Sequence, residues 1–228
     1  MLARQYGYSV SEAAAARATP WAEGQFLAQR ERGERSAHKT AWFGGIAMAV
    51  LVASFVVDAD SAPGWAWLIL AIPVIGAFLF VYVRGQGRRL WEEQLRQLRE
   101  QPWQSWPVRG QEVRATSLSG PQRAALKHRY GASFVGVRLS LLSPQGAEAA
   151  CFVTFMARDA WQGMTDGYGI MLVCGDLREA CHGALPGRQS LLALTPGARV
   201  RWQGSGGDDA RLIADVVSRA QGLDGLFG

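Results

Sequence analysis

Two stretches without a charged side chain, residues 41–57 and 63–83, constrain this chain more than any other feature of it. A helix needs roughly 20 apolar residues to cross a bilayer, with about 17 as a lower limit. Both stretches reach that range, the first once Lys39 and Thr40 are placed at the interface. The mean hydropathy of −0.01 is that of an ordinary globular chain, because the average blends these runs with a polar remainder. The expectation is a two-helix transmembrane hairpin. Forty mostly polar residues before the first run argue against a cleaved signal peptide.

The flanks orient such a hairpin. Arg30, Arg32, Arg35 and Lys39 precede it, and Arg84, Arg88 and Arg89 follow it. The connector Asp58-Ala59-Asp60-Ser61-Ala62 has no base, so the positive-inside rule predicts both termini on the cytoplasmic side of the plasma membrane. Gly45, Ala49 and Ala53, spaced by four, form a small-residue face suited to helix packing, within the hairpin or between copies. Neither run holds an ionisable residue, which argues against a pump or transporter.

The remaining chain divides into an N-terminal helical arm (1–40), a juxtamembrane amphipathic helix (84–102) and a β-rich domain (103–228). Ser9 or Ser11 is a candidate cap for an Ala-rich helix, which Pro20 interrupts. Pro102 and Pro107 are expected to end the juxtamembrane helix and mark a domain boundary. Beyond them, alternation predicts strands over 108–117, 133–142 and 147–155, the last two a hairpin turning at Pro144-Gln145-Gly146. Three shorter strands follow over 169–174, 181–185 and 191–195, with one helical turn at 158–164. Asp208 or Asp209 would cap a last helix burying Leu212, Ile213, Val216 and Val217. The fold class expected is therefore a membrane protein: a helical transmembrane hairpin plus a small, mainly β α+β domain. That domain would be a curled sheet or partial barrel with a C-terminal helix.

No pattern for phosphate loops, nucleophile elbows or zinc helices is present. The catalytic, metal and cofactor expectations are accordingly none. Cys151, Cys174 and Cys181 form no C-x-x-C pair and read as small buried hydrophobes. Asp176 and His182 are the remaining candidates for a ligand or enzyme site, although adjacent Cys181 and His182 would face opposite sides of a strand. The segment 174–178 reads as a turn, with Asp176 either hydrogen-bonding its own backbone or pairing with Arg178. Thr165-Asp166-Gly167-Tyr168-Gly169 resembles a potassium-channel filter in letters but lies far from the connector, and reads as a polar turn. A basic stretch, Arg109, Arg114, Arg123, Lys127, Arg129 and Arg138, is opposed only by Glu112. It suits lipid head groups or a plain solvated face, and less an acidic partner; nucleic acid lacks a motif or aromatic platform in its favour.

Pro102-Trp103-Gln104-Ser105-Trp106-Pro107-Val108-Arg109, with Trp161, Thr165-Asp166-Gly167, Cys174-Gly175-Asp176-Leu177-Arg178 and Leu185-Pro186-Gly187, resembles a group of uncharacterised actinobacterial two-span integral membrane proteins. The likeness covers about residues 85–195 and implies the two-span plan without any activity or site residue. The functional expectation is a membrane-anchored, non-enzymatic adaptor or scaffold whose partners are the bilayer and a protein or a second copy. A tethered enzyme or ligand-binding domain near Asp176 and His182 is the second option, and a small oligomeric pore the third.

Overall fold

The computed structural model describes residues 2–32, 34–35, 89–113, 126, 133–197 and 206–222. It divides into two compact units, Met1–Gln25 with Gln94–Gly228, and Phe26–Glu93. In the first, α1 (Leu2–Gln5), β1 (Val10–Ala14) and α2 (Ala15–Ala18) precede β2 (Pro102–Val113), β3 (Phe134–Leu142) and β4 (Glu148–Ala157). Next come α3 (Arg158–Gln162), β5 (Tyr168–Cys174), β6 (Cys181–Ala184), β7 (Leu191–Pro196) and α4 (Gly206–Gln221).

Strands β2-β3-β4 and β5-β6-β7 are two antiparallel meanders. They join twice, β4 to β7 and β2 to β5, so that six strands close into a barrel with β1 added beside the start of β2. The β3–β4 register sets Leu139 opposite Phe152 and Leu141 opposite Ala150, with Val137 opposite Thr154. These pairs face inward, and period-2 alternation then assigns every other strand. Val108, Met171, Val173, Leu192 and Leu194 join them in one fully buried cluster. A barrel of eight strands is just wide enough for side chains to fill it. Six strands leave less room, so no ligand lumen runs through this one.

Strand β2 tolerates two prolines for a local reason. Pro102 opens the strand, and Pro107 falls where its neighbour changes, since β1 pairing ends at Gln104 and β3 pairing begins at Val108. The N–H of Ser105 donates to Ser9 on that edge at 2.9 Å. Two residues on, Pro107 meets the same edge in the gap, where a missing donor costs nothing. Trp103 is buried with Nε1 donating to Thr19 Oγ1 at 2.8 Å, and Trp106 packs edge-on against Tyr6 and Tyr8. The terminal carbonyls of α4 are met by Ser105 Oγ, 2.7 Å from Ala220 O, and Ser9 Oγ, 3.2 Å from Gln221 O. Val216 of that helix packs with Leu142 and Tyr168 beneath it.

The second unit is described only as helical stretches, with Phe26 edge-on to Trp91 at 5.2 Å, a half-buried i,i+4 pair Arg30–Glu34 and an exposed one, Arg35–Glu31.

The expected fold class is corrected on two counts. The sheet is neither curled open nor partial: the β2–β5 pairing closes it. The expectation of a membrane hairpin is corrected to what the described residues show: none of their helices is long and apolar enough to cross a membrane. The described helical stretches are short and charged: residues 89–100 carry Arg89, Glu92, Glu93, Arg96, Arg99 and Glu100. The expectation of a multi-pass plasma-membrane localisation is corrected by the same finding. The runs 41–57 and 63–83, with Gly45, Ala49 and Ala53, lie outside the described residues. A smaller difference is β1, a strand where capping had suggested helix, because its backbone pairs with β2.

Candidate binding groove at the mouth of the barrel

One end of the barrel is open. There the start of β2, the start of β4, the β5–β6 turn and the end of β7 surround a groove of about 680 Å³. Its walls include Gln101, Gln104, Ala149, Asp176, Leu177 and Arg178. That volume lies within the usual range of ligand pockets, about 300–1,000 Å³.

Gln104 is the unusual member. Its register, opposite Val173, points it inward in line with Trp106 and Val108, and it is only 4 % exposed. Its Oε1 has no hydrogen-bond partner among the described residues. An unsatisfied buried polar group costs about 1–3 kcal/mol, so an apolar residue would serve the core better here. At the rim, Asp176 Oδ1 accepts the backbone N–H of Arg178 at 2.9 Å, the turn expected from the sequence. That turn fixes the base of an exposed Arg178, which is in no ion pair among the described residues. Gly175, at φ +132°, lets the β5–β6 turn approach closely: a Cβ there would lie 2.5 Å from Cys181 Cβ.

Asp176 and His182 do not converge. Asp176 is exposed on the groove, whereas His182 is 3 % exposed on the outer face of β6 opposite Cys174. Cys181 faces inward opposite Leu194, so neighbouring Cys181 and His182 do point to opposite sides. All three cysteines are buried, and none forms a disulfide among the described residues. Burial pushes the Cys174 thiol up to about 12 and raises Cys181 as well, aided there by Cys174 and Asp176. Neither sulfur is a thiolate nucleophile near neutral pH. Among the described residues no three His, Cys, Asp or Glu side chains group as metal ligands.

The basic stretch is only partly placed. Arg114, Arg123, Lys127 and Arg129 lie outside the described residues. Arg109 is half-buried on the outer face with Nη1 3.4 Å from Tyr168 Oη, and Arg138 is half-buried on β3 opposite Gln111. Burial raises the Tyr168 hydroxyl, against the lowering effect of Arg109.

Sequence reading missed Gln104, Gln101 and Arg178. The signal for Gln104 was a polar residue in line with Trp106 and Val108, visible only once 102–107 is taken as strand. Set against protein-family models, curated proteins and solved structures, the chain gives no match in any of the three.

Proposed function

We propose that this chain is a non-enzymatic adaptor whose barrel docks a protein partner in the groove at its open end. The observation that carries the reading is Gln104, a buried carboxamide oxygen without a partner among the described residues, lining a groove of about 680 Å³ at the mouth of a filled barrel. Buried acceptors are nearly always paired, and a binding surface is where one waits for a donor from another molecule. Raised thiols and the separation of His182 from Asp176 favour binding over nucleophilic chemistry. Asp176 lines the same groove, so the ligand-binding alternative shares this location but not His182.

The test is affinity purification of the full chain beside Ala149→Trp, which fills the groove from a half-buried wall position. A stoichiometric protein, or a second copy of the chain, should co-purify with the wild type and be lost from the variant at equal thermal stability. Recovery of the same partner by both proteins, or of no stoichiometric partner by either, would overturn the proposal.

A further inference from the structure

We infer that the groove recognises the carboxyl-terminal end of a polypeptide, held by its last amide N–H on Gln104 and its carboxylate on Arg178. This rests on the adaptor reading of the groove and adds the chemistry of what enters it.

The inner end of the site offers an acceptor. Gln104 Oε1 is buried and unpartnered among the described residues, so its complement is an N–H or O–H donor that leaves bulk water to reach it. The outer end offers a cation. Arg178 stands exposed on a turn that Asp176 has already fixed, and it is in no ion pair among the described residues. A guanidinium presents paired donors in a planar fork that matches a carboxylate. The same groove is also lined by the apolar Ala149, Ala150, Leu177 and Pro196, with Leu2 and Gln101 beside them. The apolar residues suit a small aliphatic side chain.

An amide N–H followed closely by a small side chain and a carboxylate is what every polypeptide terminus presents, and capture of a chain-terminal carboxylate is a recurring mode of peptide recognition. The net charge of +5 favours approach of an acidic end. Two other places on the barrel fit less well. One, an opening of about 260 Å³ beside Met156 and Leu192, is crossed by the Arg188–Asp159 ion pair at 2.6 Å. The seam between β4 and β7 is spanned by Thr154 Oγ1, 2.8 Å from Ala193 O, leaving no width for an inserted strand.

The test titrates the full ¹⁵N-labelled chain with N-acetyl-alanyl-alanine and, separately, with its C-terminal amide. The readouts are the Gln104 side-chain NH₂ signals, assigned by their loss in Gln104→Leu, and the Arg178 Nε–H signal. The free acid should move both and bind about tenfold tighter than the amide, a difference of ~1.4 kcal/mol. Gln104→Leu and Arg178→Gln should each weaken the acid about tenfold without lowering the melting temperature. Equal binding of acid and amide, silence at Gln104 while other signals move, or no binding at millimolar acid would each overturn the inference. Peptide failure beside a partner that Ala149→Trp releases leaves the adaptor reading standing; peptide binding without any stoichiometric partner removes that reading and leaves the carboxylate site.

Discussion

The two ends of the barrel are finished in opposite ways. At the closed end, α3 lays Trp161 over Gly110, so tightly that a Cβ on Gly110 would lie 2.5 Å from the indole ring. The turn beneath, Thr165 to Tyr168, has both central residues at positive φ, Asp166 at 49° and Gly167 at 81°, and exchanges both backbone hydrogen bonds. Gly110 N donates to Gly167 O at 2.7 Å, sealing that end with backbone. At the open end a carboxamide oxygen is buried without a partner among the described residues, beside a groove of about 680 Å³. The closed end is finished by backbone hydrogen bonds and close packing; the open end leaves the inward-facing Gln104 oxygen buried without a partner among the described residues. Departures of that kind concentrate where a protein binds something.

The comparison breaks most readily at Gly167. A side chain there must adopt φ +81° and meets Gly110 O at 2.7 Å. Gly167→Val should therefore destabilise the chain by about 3 kcal/mol, through backbone strain and overpacking together. Chemical denaturation measures it, and a loss under 1 kcal/mol would mean the closed end is not tightly built. The opposite sign is expected at the open end. Gln104→Leu keeps the volume and removes the unpaired acceptor, so it should stabilise by about 1–2 kcal/mol while binding is lost. Destabilisation instead would assign Gln104 a structural hydrogen bond and erase the contrast.

The sequence revealed the closed end better than the open one. Strands β3 and β4, their turn and α3 follow from alternation and from Gly146, because the pairing is local and one face is continuously apolar. The Asp166-Gly167 turn was equally plain, since those two residues tolerate positive φ. The open end is assembled from distant pieces: β2 opens at Pro102, the β5–β6 turn supplies Arg178, and β7 ends at Pro196. Pro102 and Pro107 read as boundaries because a proline's cost in a strand depends on which edge faces a neighbour, and only the β1-to-β3 changeover shows that. The β2–β5 pairing that closes the barrel is likewise non-local and has no signature within either strand. The charge-free runs drew attention to a membrane plan, while Gln104 lay unread in Trp103-Gln104-Ser105-Trp106.

The smallest expected effect probes how the closed end is fastened at its surface. Arg188 Nη1 lies 2.6 Å from Asp159 Oδ2 and Nη2 lies 3.1 Å from the Asp159 carbonyl, tying the loop after β6 to α3. The hydrogen bond from Arg188 holds the Asp159 carboxyl below its ordinary value. A carboxylate depressed on folding contributes stability that is fully present above its unfolded value and is lost as pH falls through the folded one. Asp159→Asn should therefore lower the melting temperature slightly at neutral pH, and the difference from wild type should vanish in strong acid. The pair is exposed to water, which screens it, so the shift should be well below that of Gly167→Val. A difference that persists unchanged in acid would show that Asp159 acts through its place in the first turn of α3 rather than through Arg188, and that the closed end is held by packing alone.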